Sequence, residues 1–204
     1  MFFIKRIVFF LLFCSAWDPA LCQSGKRMID DIRAHQGEMA LWWAGHNSWI
    51  IKSSDLVVAT DLYLENSTRM NPSPITPEEL ASEIDVSFVT HAHGDHFNEY
   101  TSRILLEKSS CIFVMPESCL PVARKLKIPD SRVVVARPRE TLDVKAIKVD
   151  VVRAIHGNAN FAIYYEANLQ DCGYVMTIGG KTFLQPGDSY LLEDHLFLKK
   201  VNVL

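Results

Sequence analysis

Three of the chain's seven histidines and an aspartate fall within six positions, His91-Ala92-His93-Gly94-Asp95-His96. Imidazole nitrogens and carboxylate oxygens are the usual nitrogen and oxygen ligands of zinc. If the apolar run at 86–90 is a strand, His91 and His93 leave its end on one side and can hold one ion. Gly94 lets the backbone turn sharply, and Asp95 and His96 follow where they can face a second ion. The alternative is a hydrogen-bonded polar loop, but packing gives no reason for four such groups at a strand end. Composition alone produces the pattern on the order of once in 10⁴ chains of this length.

Two ions need ligands from elsewhere. His156 ends the apolar run Val-Asp-Val-Val-Arg-Ala-Ile and precedes Gly157, repeating the placement of His91. Asp188 lies in Gln185-Pro186-Gly187-Asp188-Ser189, just past a third strand-like run. A structural histidine and an ordinary Gly-Asp turn are the simpler readings. The recurring position at strand ends favours ligands, with Asp188 bridging both ions through its two oxygens. His46, in Gly-His-Asn-Ser, either approaches the site or is a turn histidine facing water.

The elements that must position these residues are legible around them. After a short amphipathic helix at 25–36 come three closely spaced strands, Ala-Leu-Trp-Trp-Ala, Ser-Trp-Ile-Ile-Lys-Ser and Leu-Val-Val-Ala-Thr, separated by turn residues. Trp42, Trp43 and Trp49 on these strands are expected in the core. Thr76 as N-cap, Pro77 at the first helical position and Glu79 closing a capping box open a helix that runs to about Ile84. Strand 86–90, helix 98–108, strand 111–115 and a helix at 117–126 then alternate, giving a mixed α/β half-domain. From Arg132 the pattern turns mostly β. Runs at 173–178 and 181–185 flank Gly179-Gly180, a two-residue hairpin turn. Residues 190–200 predict a helix, and 201–204 begin another apolar run.

Composition bounds the rest. At 204 residues, 49% hydrophobic and 22% charged, the chain suits one globular domain. A net charge of −3 and the absence of a lysine- or arginine-rich run give no sign of a nucleic-acid partner. Lys5 and Arg6, an eleven-residue apolar run from Ile7 and Ala20-Leu21-Cys22 predict a cleaved secretory signal over 1–22. The run is too short to span a bilayer, which takes about 20 residues. The expectation is a secreted or periplasmic protein with no stable membrane span after cleavage. Residues 23–37 form an N-terminal helix and linker, and 38–204 one domain. Loss of the signal leaves Cys111, Cys119 and Cys172, with no Cys-x-x-Cys, so neither a disulfide framework nor a thiolate zinc finger is expected.

Thr-His-Ala-His-Gly-Asp-His, Ala-Ile-His-Gly and Gln-Pro-Gly-Asp-Ser together resemble the metallo-β-lactamase superfamily of hydrolases. Trp-Trp-Ala-Gly-His-Asn-Ser-Trp-Ile-Ile and Val-Val-Ala-Thr-Asp-Leu-Tyr-Leu resemble the opening strands of its branch of ascorbate-6-phosphate lactonase-like proteins. The likeness covers roughly 38–190. It implies a four-layer αββα sandwich of class α/β (α+β), with the site at the sheet edges. It also implies one ion on His91, His93, His156 and Asp188, and a second on Asp95, His96, Asp188 and a further histidine. In the family that histidine follows the strand after Asp188. The sequence ends within that strand, so the domain is expected to be incomplete there, and His195 is read as a surface or packing residue. Asp61 is either a partner that holds a ligand histidine or the metal loop, as the resemblance suggests, or a turn aspartate.

The implied cofactor is Zn²⁺, two ions, with Mn²⁺ or Fe²⁺ as alternatives. The implied activity is hydrolysis of an ester, lactone or phosphodiester in a small-molecule substrate, with Asp95 positioning the attacking water. Two other readings stay open. One is a mononuclear-iron dioxygenase of the same fold. The other is a truncated, non-catalytic metal-binding domain. Oligomeric state is not encoded in any feature of the sequence.

Overall fold

The computed structural model describes residues 27–67, 69–156, 170–198 and 201–204. The expected signal at 1–22 lies outside them, as does most of the connection after His156. No helix among the described residues is long and apolar enough to cross a membrane.

Alternating side chains build two sheets that bury their facing surfaces. The first holds six strands in chain order: β1 (Ala40–Gly45), β2 (Ser48–Ser53), β3 (Leu56–Thr60), β4 (Val86–Phe88), β5 (Ile112–Pro116) and β6 (Val133–Ala136). Strands β1 to β3 form an antiparallel meander, and β3 to β6 run parallel. The parallel pairs need crossovers. Helices α2 (Pro77–Ala81), α3 (Glu99–Lys108) and α4 (Leu120–Lys125) supply them. They pack with α1 (Met28–Ala34) on one face through Ile32, Leu80, Leu105 and Ala123. The second sheet is antiparallel, ordered β10 (Lys181–Gln185), β9 (Cys172–Ile178), β8 (Ile147–Arg153), β7 (Thr141–Val144).

Between the sheets lie Val58, Phe88, Val114, Val149, Tyr174 and Phe183, all buried. Phe88 and Tyr174 meet with ring centroids 5.2 Å apart, and the Tyr174 hydroxyl donates to Val89 O at 2.7 Å. That bond satisfies the phenol inside the core and ties the second sheet to the end of β4. On the outer face of the second sheet, Leu198 and Val201 cover Val152, Val175 and Leu184. The described residues therefore form the helical layer, the two sheets and the start of a fourth layer of the αββα sandwich expected from sequence.

Local chemistry fixes several boundaries. The capping box at α2 forms as read: Thr76 Oγ1 accepts from Glu79 N, and Glu79 Oε2 accepts from Thr76 N. Gly179 and Gly180 both take positive φ in the β9–β10 hairpin. Strand β4 is shorter than the run at 86–90, for a physical reason. Thr90 N donates to the Asp61 carboxylate rather than to a neighbouring strand, so a side chain ends the ladder.

Two expectations are corrected. The helix expected over 190–200 is one turn, α5 (Glu193–Leu196), with 199–200 outside the described residues. Leu191, Leu196 and Phe197 face solvent, so no apolar face holds a longer helix to the core. Trp43 is 58% exposed, whereas Trp42 packs against the helix-side core and Trp49 against Phe183. Strand β1 is the sheet edge, and Trp43 stands at its far end, still paired with Trp49. Cys111, Cys119 and Cys172 are buried free thiols.

Candidate metal centre

Ligands in open α/β sheets gather beyond the carboxyl ends of parallel strands. Here Asp61 follows β3 directly, and Thr90 and His91 lie two and three residues beyond the end of β4. His156 follows β8 and Asp188 follows β10. Four strand ends from two sheets thus deliver the donors to one place.

The rings of His91, His93 and His156 are mutually close, with centroids 4.7, 5.1 and 4.9 Å apart. His91 Nε2 and His93 Nδ1 face each other at 3.1 Å. Three donor sets have ligand atoms within 4.8 Å of one another: His91, His93, His156; His91, His96, Asp188; and His46, Asp95, His96. Asp188 lies between them, its Oδ1 3.3 Å from His96 Nε2 and its Oδ2 4.0 Å from His156 Nε2. The structure therefore brings together all six residues singled out as ligands. His46 joins them, although as a turn histidine it carried no stronger sequence signal. His195 does not. Its Nδ1 accepts the Leu192 N–H at 3.1 Å in α5.

Asp61 is fully buried and organises the metal loop. Its Oδ1 accepts from Thr90 N at 2.8 Å, and its Oδ2 from Thr90 Oγ1 at 2.9 Å and His96 Nδ1 at 3.1 Å. The hydroxyl of Thr90 has one proton and gives it to Asp61, so it accepts from His91 Nδ1 at 3.1 Å. Both imidazoles thus carry their proton on Nδ1 and turn Nε2 toward the cluster, the arrangement partners of metal-bound histidines impose. Asp61 thus holds the His96 ring and the Thr90 backbone and hydroxyl together.

Thr90 and Gln185 were not assigned roles from sequence. Gln185 is buried, donates to Thr60 Oγ1 and Asn47 O, and accepts from Gly187 N, anchoring the turn that presents Asp188. Gly187 has φ 64°, and a Cβ there would lie 2.8 Å from Thr90 Cβ. Neither contact has a local signature, because each joins residues far apart in the chain.

The electrostatics call for positive charge. Burial, with His96 and His93 alongside, pushes His91 down to about 3, so it is neutral with a free lone pair at neutral pH. Burial alone would lower His96. Asp188 and Asp61 at its two nitrogens outweigh that and raise it to about 10. The facing His96 ring holds Asp188 down to about 2. A proton on His96 thus compensates two carboxylates where a cation would otherwise do so. His96 Nε2 is nevertheless buried without a hydrogen-bond partner, since its approach to Asp188 is close but misaligned. An orphaned ring nitrogen among imidazoles and a carboxylate fits a metal ion of the zinc class.

Comparison with known proteins agrees with this geometry. A model of the beta-lactamase superfamily domain matches residues 40–204. The chain is 24% identical over 169 residues to a metal-dependent hydrolase of Desulforamulus reducens, covering 80% of this chain and 68% of that one. Among solved structures it is similar to Igni18, a metallo hydrolase from Ignicoccus hospitalis. There the TM-score is 0.59 at 18% identity, over 78% of this chain and 64% of that one. It is also similar to CmlA, a diiron β-hydroxylase from Streptomyces venezuelae. There the TM-score is 0.57 at 18% identity, over 76% of this chain and 30% of that one. The chain spans about two thirds of the length of the curated relatives it matches, or a little less. The match over most of the chain, with the two-sheet fold and the convergent donors, places it: the chain belongs to the beta-lactamase superfamily domain family, with the fold of that family's metal-dependent hydrolases.

Proposed function

We propose that the protein is a zinc-dependent hydrolase of a small ester, lactone or phosphodiester, exported by the signal at 1–22. The observation that carries this is the convergence of ring nitrogens from His91, His93, His96 and His156 with the Asp188 carboxylate. One cation would sit on His91, His93, His156 and Asp188, and a second beside Asp95, His96 and Asp188. Bound zinc ions supply an acidified water and polarise the oxygen of the scissile group.

The chain's own residues do the rest. Asp61 and Thr90 fix two imidazoles so that no reorganisation is needed during reaction. Burial would raise Asp95, but His46 and His96 outweigh it and keep the carboxylate ionised at neutral pH. Asp95 orients the attacking water, takes its proton transiently and passes it to the leaving group. A cavity of about 400 Å³ opens beside His46, lined by Trp43, Tyr63, Arg69, Met70 and Pro72. Its size and its mixed wall of aromatic rings with Arg69 and Asn71 suit the side group of a small molecule. Its lining comes from the β1–β2 turn and from the 62–75 segment that follows β3.

The test is turnover of nitrophenyl acetate, a chromogenic lactone and bis-nitrophenyl phosphate by the zinc-loaded chain, with and without a chelator. At least one should be hydrolysed, with rate lost on chelation and regained with zinc. Iron in the purified protein, with oxygen consumed and no hydrolysis, would favour the dioxygenase instead. Bound zinc without turnover of any of the three would favour a non-catalytic binder.

A further inference from the structure

We infer that His46 is itself a ligand of the second cation, completing a site with Asp95 and His96. This rests on reading the cluster as a metal centre. In the family pattern the remaining histidine comes after Asp188. Among the described residues beyond Asp188 the one histidine, His195, is engaged in α5 and takes no part in the cluster.

His46 Nε2 lies 3.0 Å from Asp95 Oδ2, and its ring meets His96 edge-on at 5.7 Å between centroids. The ligand atoms of the three residues are within 4.8 Å of one another. A closed tetrahedral shell needs about 3.3 Å between donors, so adjustments of an ångström or so gather them. His96 contributes its Nε2, the nitrogen left without a hydrogen-bond partner while Nδ1 serves Asp61. Asp188 Oδ1, 3.3 Å from that nitrogen, is the bridge to the first ion.

The turn that carries His46 is held from outside by contacts with the 63–71 segment. Gly45 and His46 take φ of 93° and 52°. Positive φ is what a two-residue hairpin turn asks for, and Ser54 and Lys145 take it in the other hairpins. Arg69 donates to Ala44 O, Tyr63 O and Asn71 O, clamping the turn from outside. It lies so close that a Cβ on Gly45 would collide with its Nη2. Trp43 Nε1 donates to His46 O at 2.9 Å. All this positions a ring that lies edge-on to Tyr63 and His96 and whose hydrogen bond goes to a half-exposed carboxylate, the two side chains being 45% and 46% exposed. A surface pair of that kind contributes little. With a cation between them the same imidazole, freed of its Nε2 proton, and the same carboxylate become two ligands.

The experiment is zinc titration of the full chain after metal removal, with metal content per chain measured after desalting. The variants are His46→Ala and His46→Asn. Asparagine tolerates the left-handed backbone, so it keeps the turn and removes the imidazole. Wild type should retain two zinc ions per chain and both variants one, with unchanged circular dichroism. Cobalt substitution should show the loss as a change in the visible bands of one of two ions. Two ions retained by either variant would overturn the assignment, as would a single ion in wild type that both variants keep. A wild-type chain that binds no metal would overturn the metal centre as a whole, a result distinct from these two.

Discussion

Replacing Asp188 with alanine is expected to lower turnover by about 10²–10³-fold or more while leaving the fold intact. Asp188 is the carboxylate that stands between the histidine sets, with one oxygen toward His96 and the other toward His156. Losing one preorganised charge in such a site costs this much even when no ion leaves, and here a bridging ligand goes as well. The side chain is half-exposed and sits in a turn held by Gln185, so its removal opens no core cavity. Rate and zinc content should fall together while the thermal midpoint of the metal-free protein stays near that of wild type. Asp194→Ala is the control. That carboxylate pairs with Arg153 and Arg139 on the outside of the second sheet, and its loss should not change the rate.

Asp61→Ala should act the other way round, on the fold first. The Asp61 side chain is completely buried and accepts from Thr90 N, Thr90 Oγ1 and His96 Nδ1. Truncation strands all three donors in the interior between β3 and β4. Removing one partner from a buried, hydrogen-bonded charge costs about 3–5 kcal/mol. For a chain of this size that lowers the thermal midpoint by roughly 10 °C or more. The same change frees the His96 ring and the Thr90 hydroxyl that orients His91, so zinc affinity should fall about 10–100-fold. Asp61→Asn should not rescue it, because an amide nitrogen would face donors on one side. Calorimetry of the metal-free variants, followed by zinc titration, separates the two effects. A thermal midpoint within 2–3 °C of wild type would show that Asp61 is only a turn residue, since 1 kcal/mol shifts it by about that much.

The parts of this site that were legible in sequence are those whose information is local. His91, His93, Asp95 and His96 share one loop, and their spacing alone signals a donor cluster. The strands of both sheets show as alternating or apolar runs, and Thr76 with Glu79 marks a helix start because a capping box spans four residues. His156 and Asp188 were legible at one remove, from their repeated position at strand ends and from the family resemblance. The roles of Thr90 and Gln185 depend on partners 29 and 125 residues away, and no local pattern encodes those contacts. The His46–Asp95 contact joins positions 49 apart, so the sequence left His46 between a residue near the site and an ordinary turn histidine. Trp43 misled for a different reason. Its size and strand placement suit a core, but at the end of an edge strand it is left 58% exposed.

Anomalous diffraction from crystals of the zinc-loaded full chain tests a shared cation most directly. A peak is expected at ligand distance from His91, His93, His156 and Asp188 together, with a second beside Asp95 and His96. A zinc-replete crystal with no peak among those four side chains, or with its peak elsewhere on the molecule, would contradict it.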